Sequence, residues 1–481
     1  MAKYLHGVYP YTGDTEMDEE NKVAFAQVVI GTAPVHLLEN PAAAVNVPIL
    51  CEDLTDCKTK VGYSTNFKDY TVCQSIFTNF ILSKVAPVVF INVLDPAKHK
   101  KAVEEKEYTA TDNTVTIDGE VIVSSLTIKK NTVEVDKENY ITEWVNGKLV
   151  IRFVDEETAA ETETLTIGYD VVDPSKVTRE DIIGAYDPKT DKRTGAELIK
   201  DVFPKCGVTP LLILAPGWTT DDTVGAILMG KTAEINGCYQ ALTLLDLDTE
   251  KAKTRADAIK EKGERTMNEN CIALFPMVKK NGYIISYSAY LATQIMSQAA
   301  KTDGITCKSP SNKAMKIDDC VLADGTSVFY DQEDGNELNA VGIVTIIARN
   351  GWYSWGNNTA AYPETTDPVK RWIMTRLAFM WIENDYINTI TPQIDDDLNK
   401  DKIVDNATTA YNIKLAAWAA AGRIIKGTIS YTAADNSANS IANGKFKVRT
   451  RLAANVPGEV IENEFTFDMD ALIEAVTGGA E

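Results

Sequence analysis

The sequence predicts a mixed α/β protein of more than one unit. A mostly parallel sheet is flanked by helices, an antiparallel β unit is inserted, and a C-terminal α+β unit carries an exchangeable strand pair. Three observations carry that expectation. Apolar runs such as "VVFINVL", "LLILA" and "VGIVTIIA" are continuous rather than alternating, as strands buried on both faces require. Stretches with apolar residues at helical spacing separate those runs, and strand–helix–strand order is the signature of a parallel sheet. Between residues 103 and 175 the pattern switches to short alternating runs joined at Asp-Gly and Asn-Gly, with no Cys, Met or His.

In chain order, residues 1–22 are polar and carry an acidic run (Glu16, Asp18, Glu19, Glu20), so they read as an extended arm outside any core. "VAFAQVVIGTAP" (23–34) reads as a buried strand. "FKDYTVCQSIFTNFILSKV" (67–85) reads as a helix, with Tyr70, Cys73, Ile76, Phe77, Phe80 and Ile81 at helical spacing. "APVVFINVLDP" (86–96) is the next strand. In the insert, "TVTIDGEVIV" is expected to turn at Asp118-Gly119 and "ITEWVNGKLVIRF" at Asn146-Gly147, because these dipeptides tolerate the positive φ of tight hairpins. Strands resume at "GVTPLLILAPGW" (207–218), "LTLLDLD", "NCIALFPMV" and "VGIVTIIA". Residues 367–390 read as a long helix and "NATTAYNIKLAAWAAAGRI" as another. The expected units are the arm (1–22), a discontinuous core (23–102 and 176–345), the insert (103–175) and a C-terminal unit (346–481).

Charge and composition exclude some functions. A net charge of −21 repels a phosphate backbone, so no direct nucleic-acid partner is expected. The apolar runs fall short of the ~20 residues that span a bilayer, so no stable membrane insertion is expected. The eight cysteines lack a C-x-x-C pair and read as buried, reduced residues. With only His6, His36 and His99, neither a metal site nor acid–base catalysis is supported. "YDQEDGNE" (330–337) and "QIDDDLNKD" (393–401) do not fit a calcium loop and read as solvated acidic loops. The reading is of a protein that is no enzyme and takes no cofactor.

One motif argues the other way. "GAILMGKT" has Gly225, Gly230, Lys231 and Thr232 spaced as a phosphate loop, and Asp246 downstream stands where a magnesium ligand would. A P-loop nucleotide hydrolase is therefore the alternative reading. Context opposes it. The strand "LLILA" ends at Ala215, and "PGWTTDDT" then starts a helix, with Thr219 or Thr220 as cap and Asp221 and Asp222 in its first turn. Val224, Ile227, Leu228 and Ile235 share one face, and Gly237 is expected to end the helix. Lys231 then lies in the latter half, where the dipole disfavours phosphate.

The informative feature is an edge. In "KFKVRTRL" the residues Lys445, Lys447, Arg449 and Arg451 share one face, and Phe446, Val448 and Leu452 the other. In "EVIENEFTF" Glu462 and Glu464 alternate with Ile461, Phe465 and Phe467. Paired antiparallel, the two rows can face each other, within one chain or between two.

Several segments in order resemble contractile tail sheath proteins of bacteriophages and phage-tail-like bacteriocins. They are "GVYP" near the N-terminus, "VVIGTAP" (28–34), "RTGAELI" (193–199), "LLILAPGWTTDDTV", "NGWYSWGNNTA" (350–360) and "KRWIMTRLAFMWIEN" (370–384). The resemblance covers most of the chain outside the insert. It departs at Asn358, where many relatives carry a basic residue, and in the "DMDALIEAVTGGAE" tail. It implies a structural subunit that polymerises with itself as stacked hexameric rings around a tail tube. Baseplate and tail terminator proteins are further partners, and the place is a virion tail or phage-tail-like particle assembled in a bacterial cytoplasm. The energy of contraction would be stored in subunit contacts. The implied strand-exchange residues are Tyr4, Leu5, Val8 and Tyr9 of the arm with Lys445, Lys447, Arg449, Arg451, Glu462, Glu464, Phe465 and Phe467.

Overall fold

A computed structural model describes residues 24–154, 164–399 and 403–478. A nine-stranded main sheet organises the chain. In order across it lie Lys313–Ala314, Trp352–Trp355, Ile343–Ala348, Cys271–Leu274, Leu242–Asp246, Val208–Leu214, Ala24–Gly31, Val88–Asn92 and Pro48–Cys51. The six strands from Ile343–Ala348 to Val88–Asn92 run parallel, and antiparallel partners close both ends. Val208–Leu214, Leu242–Asp246 and Val88–Asn92 are buried at every position, which is why their sequences show no alternation. Helices Asp222–Thr232, Arg255–Glu264 and Tyr287–Ala299 connect or cover the strands. Strand Ile343–Ala348 straddles the expected unit boundary at 345/346, and the sheet continues to Trp355.

The chain leaves the main sheet after Asn92 for two small antiparallel sheets and returns after Val172. One runs in the order Lys100–Thr109, Thr164–Val172, Thr127–Lys130, Val133–Glu134. The other places Lys148–Phe153 between Thr114–Asp118 and Tyr140–Val145. They enclose their own core, with Ile117, Ile128, Leu149, Ile151, Leu165 and Ile167 buried. Asn146-Gly147 makes the expected hairpin, with φ of 51° and 79° and Val145 opposite Lys148. Asp118-Gly119 does not. Thr114–Asp118 pairs with Lys148–Arg152, while Val121 bridges to Val171 in the other sheet. The Asp-Gly corner therefore carries the chain between sheets, because cross-strand burial outweighs local turn preference.

The C-terminal region is helical before it is extended. The expected 367–390 helix is interrupted at Trp372, whose ψ of 122° separates a turn at Pro368–Arg371 from Ile373–Ile390. Residues 406–420 form the next helical stretch, ending in Tyr411–Ala420. A two-stranded sheet follows, Lys426–Ser430 against Arg449–Ala453. Arg449–Ala453 thus pairs with a segment the sequence pattern did not mark, and not with "EVIENEFTF". The tail forms a helix, Met469–Thr477.

Candidate assembly interface

The phosphate-loop alternative meets the wrong geometry. Asp221, not Thr219 or Thr220, caps helix Asp222–Thr232, accepting from Thr223 N at 2.9 Å and Val224 N at 3.2 Å. A carboxylate thus occupies the end of the helix where a phosphate would bind. Lys231 lies in the last turn and pairs with Glu197, and Thr232 is buried with its hydroxyl 2.9 Å from Thr243 Oγ1. The helix ends at Thr232. Ile235 and Gly237 belong to a turn closed by the Ile235–Tyr239 bridge, so Gly237 does not end the helix. Asp246 is buried and accepts from Ser288 N at 2.8 Å, Ser288 Oγ at 2.5 Å and Thr219 Oγ1 at 3.4 Å. Burial pushes its carboxyl up to about 6, and its role is to pin the strand to the adjoining helix.

The C-terminal region presents an edge held from behind. Tyr411, Trp418 and Trp381 pack edge to face, with centroids 6.0 Å (Tyr411–Trp418) and 5.2 Å (Trp381–Trp418) apart. Tyr411 Oη donates to Asp385 Oδ2 at 2.9 Å, and Lys414 Nζ reaches both oxygens of Asp385 at 2.8 and 2.7 Å. These contacts seat helix Tyr411–Ala420 on Ile373–Ile390. The two-stranded sheet then rests on the first of these helices through the Asn412 amide. It accepts from Ile429 N at 2.9 Å and donates to Ile429 O at 2.7 Å, so it plugs the outer edge of Lys426–Ser430.

The opposite edge is different. Ala453 O accepts from Ile425 N at 2.8 Å, and Lys447 N and O bond the Asn436 amide at 2.6 and 2.8 Å. Odd-numbered backbone groups along 445–453 therefore face inward, and alternation turns those of Phe446, Val448, Thr450 and Leu452 outward. Among the described residues no strand pairs that edge. The expected side-chain alternation holds. Lys445, Lys447, Arg449 and Arg451 are exposed, while Val448 and Leu452 pack against the main core. Phe446 lies against Tyr431, with centroids 5.2 Å apart.

The acidic row does not face the basic row within the chain. Residues 460–467 lie outside any helix or strand, with Ile461 91%, Phe465 90% and Phe467 70% exposed and Glu462 and Glu464 exposed as well. Arg449 Nε instead donates to Asp435 Oδ2 at 2.7 Å, and Lys447 Nζ stands 3.6 Å from Asp435 Oδ1. The Arg449 guanidinium, then the Thr432 hydroxyl, hold the Asp435 carboxyl well below its ordinary range. Tyr4, Leu5, Val8 and Tyr9 lie outside the described residues.

The exposed segment has a built root. Glu459 accepts from Asn357 Nδ2 at 3.4 Å and from Arg371 Nη2 at 3.3 Å. Arg371 Nε also donates to Asn358 Oδ1 at 2.8 Å, and its guanidinium lies 3.9 Å from the Trp372 ring and 4.3 Å from the Tyr362 ring. Asn358 is thus bonded to the cation that anchors the exposed C-terminal segment. Sequence reasoning missed Asn412, Asp435, Asn436, Arg371 and Glu459, since lone polar residues carry no period.

Comparison with known proteins agrees with this architecture. No family model matches the chain. It is 26% identical over 399 residues to the tail sheath protein of Burkholderia phage BcepMu, covering 76% of each chain. Over that span the chain is similar to a tail sheath protein. A further stretch of similarity, 30% over 164 residues, links the chain to the major tail sheath protein of Serratia phage KSP20, covering 33% of this chain and 39% of that one. Chains of two solved assemblies share the chain's fold. A chain of the anti-feeding prophage baseplate superposes with a TM-score of 0.55 at 15% identity, covering 97% of this chain and 100% of its own. A chain of the PVC sheath complex, an extracellular contractile injection system in its contracted state, gives 0.55 at 14% over the same coverage.

Proposed function

We propose that this chain is a structural subunit of a contractile sheath, polymerising as stacked hexameric rings around a tail tube. Strand exchange between copies joins the subunits, and contraction drives the tube through a target cell envelope. Self-association is primary, and baseplate, tube and tail terminator proteins are the further partners. The particle is a virion tail or phage-tail-like particle assembled in a bacterial cytoplasm. The main-sheet unit forms the body, the insert projects from it, and the C-terminal unit with the 1–22 arm supplies the linkage.

The observation that carries this reading is a register. The free edge of 445–452 and the exposed segment 461–468 fit one another antiparallel in a single alignment. It sets Glu462 opposite Arg451 and Glu464 opposite Arg449, with Asp468 opposite Lys445. The same alignment sets Ile461 opposite Leu452, Phe465 opposite Val448 and Phe467 opposite Phe446. A two-residue slip in either direction loses apolar or charged partners, so one alignment is preferred. Within one chain the segment lies exposed, so a second copy is the natural donor. Water screens ion pairs at the surface, so Asp435 can yield Arg449 to an incoming carboxylate at small cost. Ladder hydrogen bonds persist while such pairs exchange, which suits a linkage that stays intact through a subunit rearrangement. Tyr4, Leu5, Val8 and Tyr9 complete the same inter-subunit sheet from a third copy.

Charge exchange tests the alignment. Arg451→Glu should reduce tube formation in negative-stain microscopy several-fold, and adding Glu462→Arg in the same chain should restore it. Normal tubes from Arg451→Glu, or failure of the double variant alone to recover, counts against the register.

A further inference from the structure

The tail beyond the exchanged segment carries an unpartnered face. Helix Met469–Thr477 is capped by Asp468, whose Oδ1 accepts from Ala471 N at 2.9 Å, and it ends at Gly478 with a φ of 69°. Met469, Leu472, Ile473 and Val476 stand at i, i+3, i+4 and i+7 on one stripe, 56%, 44%, 53% and 77% exposed. Among the described residues the helix buries no side chain. A nine-residue helix with no buried side chain lacks the packing it needs, since so short a helix is marginal in water on its own.

The alignment of the exchanged strand says where this helix goes. Asp468 opposite Lys445 is its last pair, and Met469 then meets Gly444, where the edge turns away with a φ of 70°. The helix therefore starts where the receiving strand runs out. That corner of the receiving copy has its own apolar surface. Tyr431 is 46% exposed and packs on Phe446, and Ile441 is 45% exposed on the short helix Ala438–Ala442. This helix is tied to the strand by Lys445 N donating to Ser440 O at 2.9 Å and Gly444 N to Ile441 O at 2.9 Å. Lys445 at the same corner complements Asp468 and Asp470 of the incoming helix.

We infer that the Met469–Thr477 helix is a second inter-subunit anchor, docking its Leu472–Ile473 stripe on the Tyr431–Ile441–Phe446 corner of the copy that accepts its strand. The occupant is a second copy of this chain, because the stripe is continuous with the exchanged strand and charge matches at the junction. The inference rests on the proposed strand exchange. In mechanical terms the strand supplies hydrogen bonds along an edge, and the helix clamps the end of that edge, where a peeling force would start.

Cysteine cross-linking in tubes of the full chain separates the two ideas. Leu472→Cys with Ile441→Cys probes the helix, and Glu464→Cys with Arg449→Cys probes the strand. Positions 464 and 449 form a non-hydrogen-bonded pair, where side chains approach closest, about 4.5 Å between Cα atoms. On mild oxidation each double variant should give a ladder of dimers, trimers and higher oligomers on a non-reducing gel, absent from the single variants. A strand ladder without a helix ladder, or a helix cross-link only within one chain, overturns the helix anchor and leaves strand exchange standing. Loss of both ladders in intact tubes overturns strand exchange as well.

Discussion

The main sheet and the C-terminal two-stranded sheet are made of the same hydrogen-bonded unit, yet they are finished in opposite ways. In the main sheet, each central strand has neighbours on both edges and side chains buried on both faces, and the flanking pairs at Pro48–Cys51 and Lys313–Ala314 are short. In the C-terminal sheet one edge is plugged by the Asn412 amide, and among the described residues no strand pairs the other, which carries a row of cations. Long unpaired edges invite association, and natural proteins usually blunt them. Here the blunting is one-sided. The difference teaches that the main sheet is finished for stability, while the C-terminal sheet leaves room for the proposed strand exchange.

The largest expected effect tests that separation directly. Phe90→Ala, in a strand buried throughout, should lower unfolding free energy by about 3–5 kcal/mol in denaturant titrations. Phe465→Ala, the same deletion at a 90%-exposed side chain of the C-terminal segment, should change it by less than about 0.5 kcal/mol while impairing tubes. Equal losses from both would break the comparison.

A smaller effect sharpens it at the junction of core and insert. His36 is buried between Tyr70 and the insert's Trp144, whose rings lie 5.9 and 5.4 Å away. Burial lowers its imidazole to about 4 from an ordinary 6.5. The folded state therefore favours neutral His36. Its contribution is complete above pH 6.5 and lost as pH falls from 6.5 toward 4, by about 3 kcal/mol at 1.4 kcal/mol per unit. Glu120 in the same cleft and Asp246 in the core are both raised by burial, so they act with the opposite sign. His36→Phe should remove the His36 part and make stability less sensitive to acid over that window. An unchanged slope of stability against pH would show that insert docking is not proton-linked through His36.

The smallest effect concerns the phosphate-loop motif. Lys231→Ala breaks a partly exposed pair with Glu197 and should cost about 1 kcal/mol or less. Calorimetric titration with ATP or GTP should show no saturable binding before or after the change. Binding lost with Lys231 would make the helix Asp222–Thr232 a nucleotide site despite its acidic cap.

Legibility followed the strength of the local pattern. "VVFIN", "LLIL" and "LTLLD" were readable because a strand buried on both faces leaves only apolar residues, and Asn146-Gly147 because few dipeptides accept two positive φ angles. Asp118-Gly119 misled, since its flanks pair elsewhere through contacts distant in sequence. "KGTIS" (426–430) was missed because Ile429 is its one buried residue, too little for a period. The alternating rows at 445–452 and 461–467 were visible, but not whether they meet.

The sequence by itself determined the buried strands, the character of the insert, the two alternating rows and the resemblance to tail sheath proteins. Each is written in residues near one another, where periodicity and turn chemistry act. The tertiary structure alone decided that Asp221 caps the helix of Lys231, that Asp246 is a packing carboxylate and that Asn412 closes one sheet edge while no described strand pairs the other. Those outcomes depend on hydrogen bonds and burial between residues far apart in sequence, which no local pattern records.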